Sequence, residues 1–188
     1  MLKSLFFALS CALATQASPL NARQGPAVAS EFRLYAYGEG LGGLRVFYAD
    51  GQAQIGDIAR STAKEKSEVY FTVSKTNANS WIAHTSSSGT DAEFTTASAN
   101  STILSLPTDG GSDQNVVFRP NTATFAASQE AKVFTTYGEY VLIDWETANF
   151  FAEATDVEGV YSLLWNNAGS NNIPVALRTR APSTEAIF

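Results

Sequence analysis

Asp144 and Glu146 flank Trp145 in the segment Ile143 to Thr147. In an extended chain, side chains two apart share a face, so the two carboxylates would stand side by side, with an adjacent tryptophan available to stack on a sugar ring. Glycosidic bonds are cleaved by one protonated and one ionised carboxyl placed across a cleft, and Glu139, Glu153, Asp156 and Glu158 lie close in sequence. Nothing in the spacing fixes a separation across a cleft. The sequence therefore favours solvated strand-end acids with Trp145 in the core, and the paired-carboxylate hydrolase stands as an alternative.

Other chemistry has less to work with. His84 is the only histidine, so a Ser-His-Asp triad would have to be built on it, and no G-x-S-x-G elbow accompanies it. Zinc sites usually draw on more than one imidazole, so neither a metal nor a cofactor is expected. Asp109-Gly110-Gly111-Ser112-Asp113 has oxygen ligands at close spacing but lacks the fuller calcium-loop pattern and its distal glutamate; a β-turn is expected there. Tyr35, Tyr37 and Trp81, with the Asn-rich loop Asn166 to Asn172, could form a carbohydrate platform, since an aromatic ring joins an apolar face to a polar tip. Ordinary cross-strand aromatic packing accounts for the same residues. Asn100-Ser101-Thr102 is an N-x-[ST] sequon, which marks Asn100 for a glycan in a secreted chain.

The elements that would have to position these groups are strands. Phe32, Leu34 and Ala36 alternate with Arg33, Tyr35 and Tyr37, and Val69, Phe71 and Val73 alternate with Glu68, Tyr70 and Thr72, as half-buried strands require. Gly38 to Gly43 reads as a break. Leu44 to Ala49 and Gln52 to Ile58 flank Asp50-Gly51, the dipeptide favoured in a type I′ hairpin turn. Further short strands follow at Ser80 to His84, near Phe94, and at Ile103 to Leu106, Asn115 to Arg119, Ala123 to Ala126, Lys132 to Thr136, Tyr140 to Trp145, Asn149 to Glu153, Val160 to Trp165 and Val175 to Thr179. A turn signal about every 8 to 12 residues is the rhythm of a sandwich or barrel. Helix formers gather only at Ala126 to Lys132 and Glu146 to Ala154, at most about two turns each, too little for the crossovers of an α/β fold. The expected fold is an all-β, single-domain antiparallel β-sandwich of jelly-roll-like kind, with about 10 to 13 short strands and at most one or two helical turns.

The chain has 188 residues, 45% of them hydrophobic and 16% charged, far from the composition of a disordered segment. Lys3 followed by the apolar run Leu5 to Ala14 and the small-residue stretch to Ala17 predicts a signal peptide over residues 1–17, too short to span a bilayer. Residues 18–30 then read as a linker or short pro-segment, 31–180 as the domain and 181–188 as a flexible tail. Cys11, the only cysteine, falls in the leader, so the processed chain is expected to hold itself together without disulfides. Losing Lys3 takes the formal charge to 11 − 18 = −7. Nucleic acid and anionic membranes demand the opposite sign, and no retained membrane span is expected.

Phe32-Arg33-Leu34-Tyr35-Ala36-Tyr37-Gly38, Gly40-Leu41-Gly42-Gly43-Leu44, Phe47-Tyr48-Ala49-Asp50-Gly51 and the stretch from Gly159-Val160-Tyr161 to Trp165-Asn166 together resemble small secreted proteins of filamentous ascomycete fungi. The resemblance covers most of Glu31 to Arg180. It implies an extracellular fungal setting with action at cell walls or, in plant-associated species, as an elicitor or effector, and it carries over no site residue. The sequence leads to a secreted, non-catalytic surface-binding protein whose partner is a cell-wall glycan or a host surface. A small glycoside hydrolase and an elicitor recognised by a plant host are its rivals.

Overall fold

Alternation along the first segment becomes structure: Phe32, Leu34 and Ala36 are buried, while Arg33, Tyr35 and Tyr37 face outward. The computed structural model describes residues 31–85, 102–108, 114–121, 129–143 and 149–183. Its strands are β1 (Tyr35–Gly38), β2 (Leu41–Ala49), β3 (Gln52–Gly56), β4 (Lys66–Val73), β5 (Trp81–Thr85), β6 (Thr102–Pro107), β7 (Val117–Pro120), β8 (Gln129–Glu130), β9 (Phe134–Tyr137), β10 (Tyr140–Ile143), β11 (Phe150–Ala154), β12 (Val160–Trp165) and β13 (Ile173–Arg178). The fold is all-β. Among the described residues, a single 3-10 turn, Ile58–Arg60, is the only helical element, and the Asp57 carboxylate caps it by accepting from the Ala59 amide at 2.9 Å.

Strand pairing, antiparallel throughout, does not split into two stacked sheets. It closes into a ring in the order β1-β2-β4-β5-β6-β7-β3-β12-β11-β13 and back to β1, a ten-stranded barrel in place of the expected sandwich. The reason lies in the long hairpin β2–β3. One edge of β2 is shared along its length, with Leu41 to Arg45 pairing β1 and Phe47 to Ala49 pairing β4. The free edge of β3 is divided in the same way between β7 at Gln52 and β12 at Gln54 to Gly56. Because β2 also pairs directly with β3, the ring is crossed by the hairpin and divided into two circuits of six strands that share it. Two seams join the circuits elsewhere: Phe32 and Phe71 exchange both backbone hydrogen bonds at 3.0 and 2.7 Å, and the Val116 and Trp165 amides donate to the Leu163 and Gln114 carbonyls. Closure removes the open edges that two separate sheets would leave exposed.

The Asp50-Gly51 turn is as expected, with φ of 49° and 85° at the two positions, the twist that suits a two-residue hairpin. Its tip is tied down because the Asp50 carboxylate accepts from the Lys64 and Glu65 amides and its own amide donates to the Glu65 carbonyl. Gly38 to Gly43 is no break. The turn there is only Glu39-Gly40, and Leu41, Gly42 and Gly43 already belong to β2. Nor are the two helix-forming stretches helical where described: Phe150 to Ala154 is β11, with Phe150, Phe151 and Ala152 buried between β12 and β13, and Gln129–Glu130 pairs with the end of β6. Non-local pairing overrides local propensity there. The strands expected near Phe94 and at Ala123 to Ala126, the leader, the linker and most of the tail lie outside the described residues.

One main apolar cluster fills the ring. Trp81, 1% exposed, is its aromatic hub, edge-on to Phe32 at 5.0 Å, stacked on Phe134 at 5.0 Å and tilted against Phe71 at 6.5 Å. This corrects the assignment of Trp81 to a surface platform: in Trp81-Ile82-Ala83-His84 it is the Trp81 and Ala83 face that turns inward. A smaller cluster of Phe47, Ala49 and Val160 lies under Ile58 and Ala63 on the outside of the β2–β3 hairpin.

Two outcomes follow from this packing. Trp81→Ala should lower unfolding free energy by about 3 to 5 kcal/mol in urea titrations, against roughly 0.5 kcal/mol for Tyr137→Ala at an exposed site; an undiminished W81A stability would return the ring to the surface. Burial first, then Glu65 and Asp50, raise the Tyr48 hydroxyl above its ordinary 10.0. The folded state thus holds that proton more tightly than the unfolded chain, so this contribution is complete below the unfolded pKa and is lost as pH rises through the folded one. Stability of the native protein should fall more steeply above about pH 10 than that of Tyr48→Phe, as denaturant midpoints measured across alkaline pH will show.

Candidate functional site

Tyr35 has two neighbours fixed to it by register. Across β1 and β2 it opposes Arg45, and across β1 and β13 it opposes Arg178. Arg178 in turn opposes Tyr140 on β10, and Tyr140 opposes Tyr137 on β9. Directly paired residues point to one face of a sheet, so five adjacent strands present the row Arg45, Tyr35, Arg178, Tyr140, Tyr137 on the outside of the barrel. Cation and ring alternate along its first four places.

Arg178 is held between two rings, its guanidinium carbon 4.8 Å from the centroid of Tyr37 and 4.3 Å from that of Tyr140. One terminal nitrogen donates to the Tyr140 hydroxyl at 2.6 Å. Cation–π contacts of this kind contribute about 0.5 to 1 kcal/mol at exposed sites, and here they chiefly fix orientation. Tyr37 is itself seated on backbone. Between Ala36 and Tyr37 the β1–β2 register slips, leaving Gly43 as the extra residue of a β-bulge with φ of 92°. A Cβ on Gly43 would lie 2.7 Å from the Tyr37 ring, so glycine satisfies both the backbone angle and the close approach. The Tyr37 hydroxyl donates to the Arg180 carbonyl at 3.0 Å.

Two open grooves border the row. One, of about 390 Å³, is lined by Tyr35, Gly43, Arg45 and Glu68; the other, of about 360 Å³, by Tyr37, Arg178, Arg180 and Glu139. Ala181 and Pro182 contribute to both and so lie between them. Three carboxylates line the grooves, and each is taken up: Asp57, in the first groove, accepts from the Ala59 amide, Glu68 accepts from Arg45 and faces Arg33 at 3.7 Å, and Glu139 pairs with Arg180 at 2.8 Å. That hydrogen bond, reinforced by the charge of Glu139, raises the Arg180 guanidinium further above its ordinary range. The face thus holds Arg33, Arg45, Arg178 and Arg180 against Asp57, Glu68 and Glu139, an excess of one positive charge on a chain whose formal charge is −6.

Of the residues singled out from sequence, Tyr35 and Tyr37 belong to this face and Trp81 does not. The loop Asn166 to Asn172 lines neither groove, and its amides serve the turn itself: Asn172 Nδ2 donates to the Asn167 carbonyl at 3.1 Å, and Asn167 Oδ1 accepts from the Gly169 amide at 3.2 Å. His84 has ordinary strand partners, the Thr72 hydroxyl at 2.8 Å and the Tyr70 ring stacked at 5.0 Å. Asp144, Glu146, Asn100 and the Asp109 to Asp113 turn lie outside the described residues, among which no three His, Cys, Asp or Glu side chains gather to hold a metal ion. Arg45, Arg178 and Tyr140 were not anticipated. The available signal was the outward phase of Tyr35 and Tyr37, which asks what stands beside them on the next strands.

No protein-family model, curated protein or solved structure matches the chain.

Gly43→Ala should displace the Tyr37 ring and cost about 1 to 3 kcal/mol, whereas Gly42→Ala, with open space around its Cβ and no positive φ, should stay within roughly 0.5 kcal/mol of the native protein. Denaturant titrations give the energies. Tyrosine ring proton shifts report whether Tyr37 has left Arg178; equal behaviour of the two variants would contradict the bulge argument.

Proposed function

We propose that this is a secreted, non-catalytic binding protein that holds a cell-wall polysaccharide on the outer face of its barrel. The observation that carries the reading is the alternating row Arg45, Tyr35, Arg178, Tyr140. Sugars have apolar ring faces and a rim of hydroxyls. Tyrosine rings match the first, and guanidinium groups and phenol hydroxyls supply donors for the second. The row follows the sheet across four strands, about 15 Å at the usual strand spacing, which suits a chain of residues better than a single small molecule. Binding is favoured over turnover because the carboxylates beside the row are engaged, Glu68 and Glu139 by arginines and Asp57 by the Ala59 amide. The leader-like first 17 residues support an extracellular setting.

Purified protein should be retained on at least one member of a panel of insoluble chitin, β-glucan, cellulose and pectin gel. Tyr35→Ala and Tyr140→Ala should each reduce retention at least tenfold with an unchanged unfolding midpoint. A panel on which nothing is retained, or variants retained like the native protein, would remove this reading.

A further inference from the structure

We infer that the polysaccharide taken by this face is acidic, a polymer of hexuronic acid, and that Arg178 is the group that reads its carboxylates. The inference rests on the binding role proposed above. Among the described residues Arg33, Arg45 and Arg180 each have a carboxylate partner, and Arg178 has none. Its Nε is buried without a hydrogen-bond partner and so is closed to a ligand, and only one of its terminal nitrogens is engaged, by the Tyr140 hydroxyl. A charge without a counter-ion would ordinarily stay mobile in solvent. Here it is clamped between Tyr37 and Tyr140, so the side-chain entropy that a ligand would otherwise have to remove is already lost. A planar guanidinium so held is organised to offer its two terminal nitrogens, end-on, for two parallel hydrogen bonds to a planar carboxylate.

Position adds to chemistry. Arg178 is the direct cross-strand neighbour of Tyr35, one strand spacing away, about 5 Å. A sugar stacked on Tyr35 therefore has Arg178 on one side and Arg45 on the other. The face is positive on an acidic chain, so the sign favours an anionic ligand over a neutral one. Asp57, Glu68 and Glu139 remain within it and limit that excess to one charge, which suits one carboxylate per sugar better than the denser charge of a sulfated polymer.

Affinity electrophoresis and calorimetry with polygalacturonate, the same polymer methyl-esterified, dextran sulfate and a soluble β-glucan test this. The native protein should bind polygalacturonate at least tenfold more tightly than its ester or the β-glucan, with affinity falling as salt is added. Arg178→Gln should abolish the preference for the free acid. Arg178→Lys, which keeps the charge and loses the planar fork, should retain only part of it. If R178Q fails to fold, the comparison of acid with ester on the native protein decides alone. Equal binding of acid, ester and β-glucan would overturn the acidic assignment while leaving polysaccharide binding intact. Tighter binding of dextran sulfate would overturn the uronate assignment, and binding of none of the four would count against both readings.

Discussion

The backbone pairing of β2 with β3 is the constraint on which the rest of the barrel depends. Without it, ten strands would enclose one wide ring, and the side chains of a chain this size would have to fill it from wall to wall. With it, each circuit has six strands, narrow enough for side chains such as Leu34, Ile55, Leu104 and Leu163 to meet across the interior. Barrel width grows with strand number. The crossing hairpin is what converts an over-wide ring into a packed core, and its tip is held by the Asp50 carboxylate on the Lys64 and Glu65 amides.

The same hairpin governs the outer face. A long β2 serves β1 and β4 in succession along one edge, and the Gly43 bulge lies within the half that pairs with β1. Bulges increase local twist. The bulge also restores Tyr35 to a position opposite Arg45 after the Glu39-Gly40 turn and makes room for the Tyr37 ring. Barrel closure and the cation–aromatic row thus share a cause, since both require β1 to lie between β2 and β13 in one register.

Much of the architecture was legible locally. Period-two alternation located β1 and β4, and the Asp50-Gly51 dipeptide located the central hairpin with its turn geometry. What was not legible is non-local. Arg178 meets Tyr35 across 143 positions of sequence, and no local pattern states which strands are neighbours or that the last closes on the first. Trp81 was misplaced for a related reason: a strand with apolar residues in both phases, Trp81 and Ala83 in one and Ile82 in the other, does not declare its inner face until β4 is paired to it. Gly38 to Gly43 reads as a break because glycine signals a turn and a bulge equally well, and here it supplies both.

Electrostatics distinguishes the face from the rest of the molecule. Four of the chain's 12 basic residues stand there, on or beside the β2–β1–β13 surface. Exposed ion pairs contribute little to stability, roughly 0 to 1 kcal/mol each, so stability alone does not account for gathering arginines on a chain with more acids than bases. Pairing three of them with Glu68 and Glu139 also fails to use the fourth. Arg178 is kept rigid by rings, which hold a cation in place without neutralising it, whereas a carboxylate would have done both. That choice of partner separates Arg178, whose charge is oriented but not neutralised, from the three arginines paired with carboxylates.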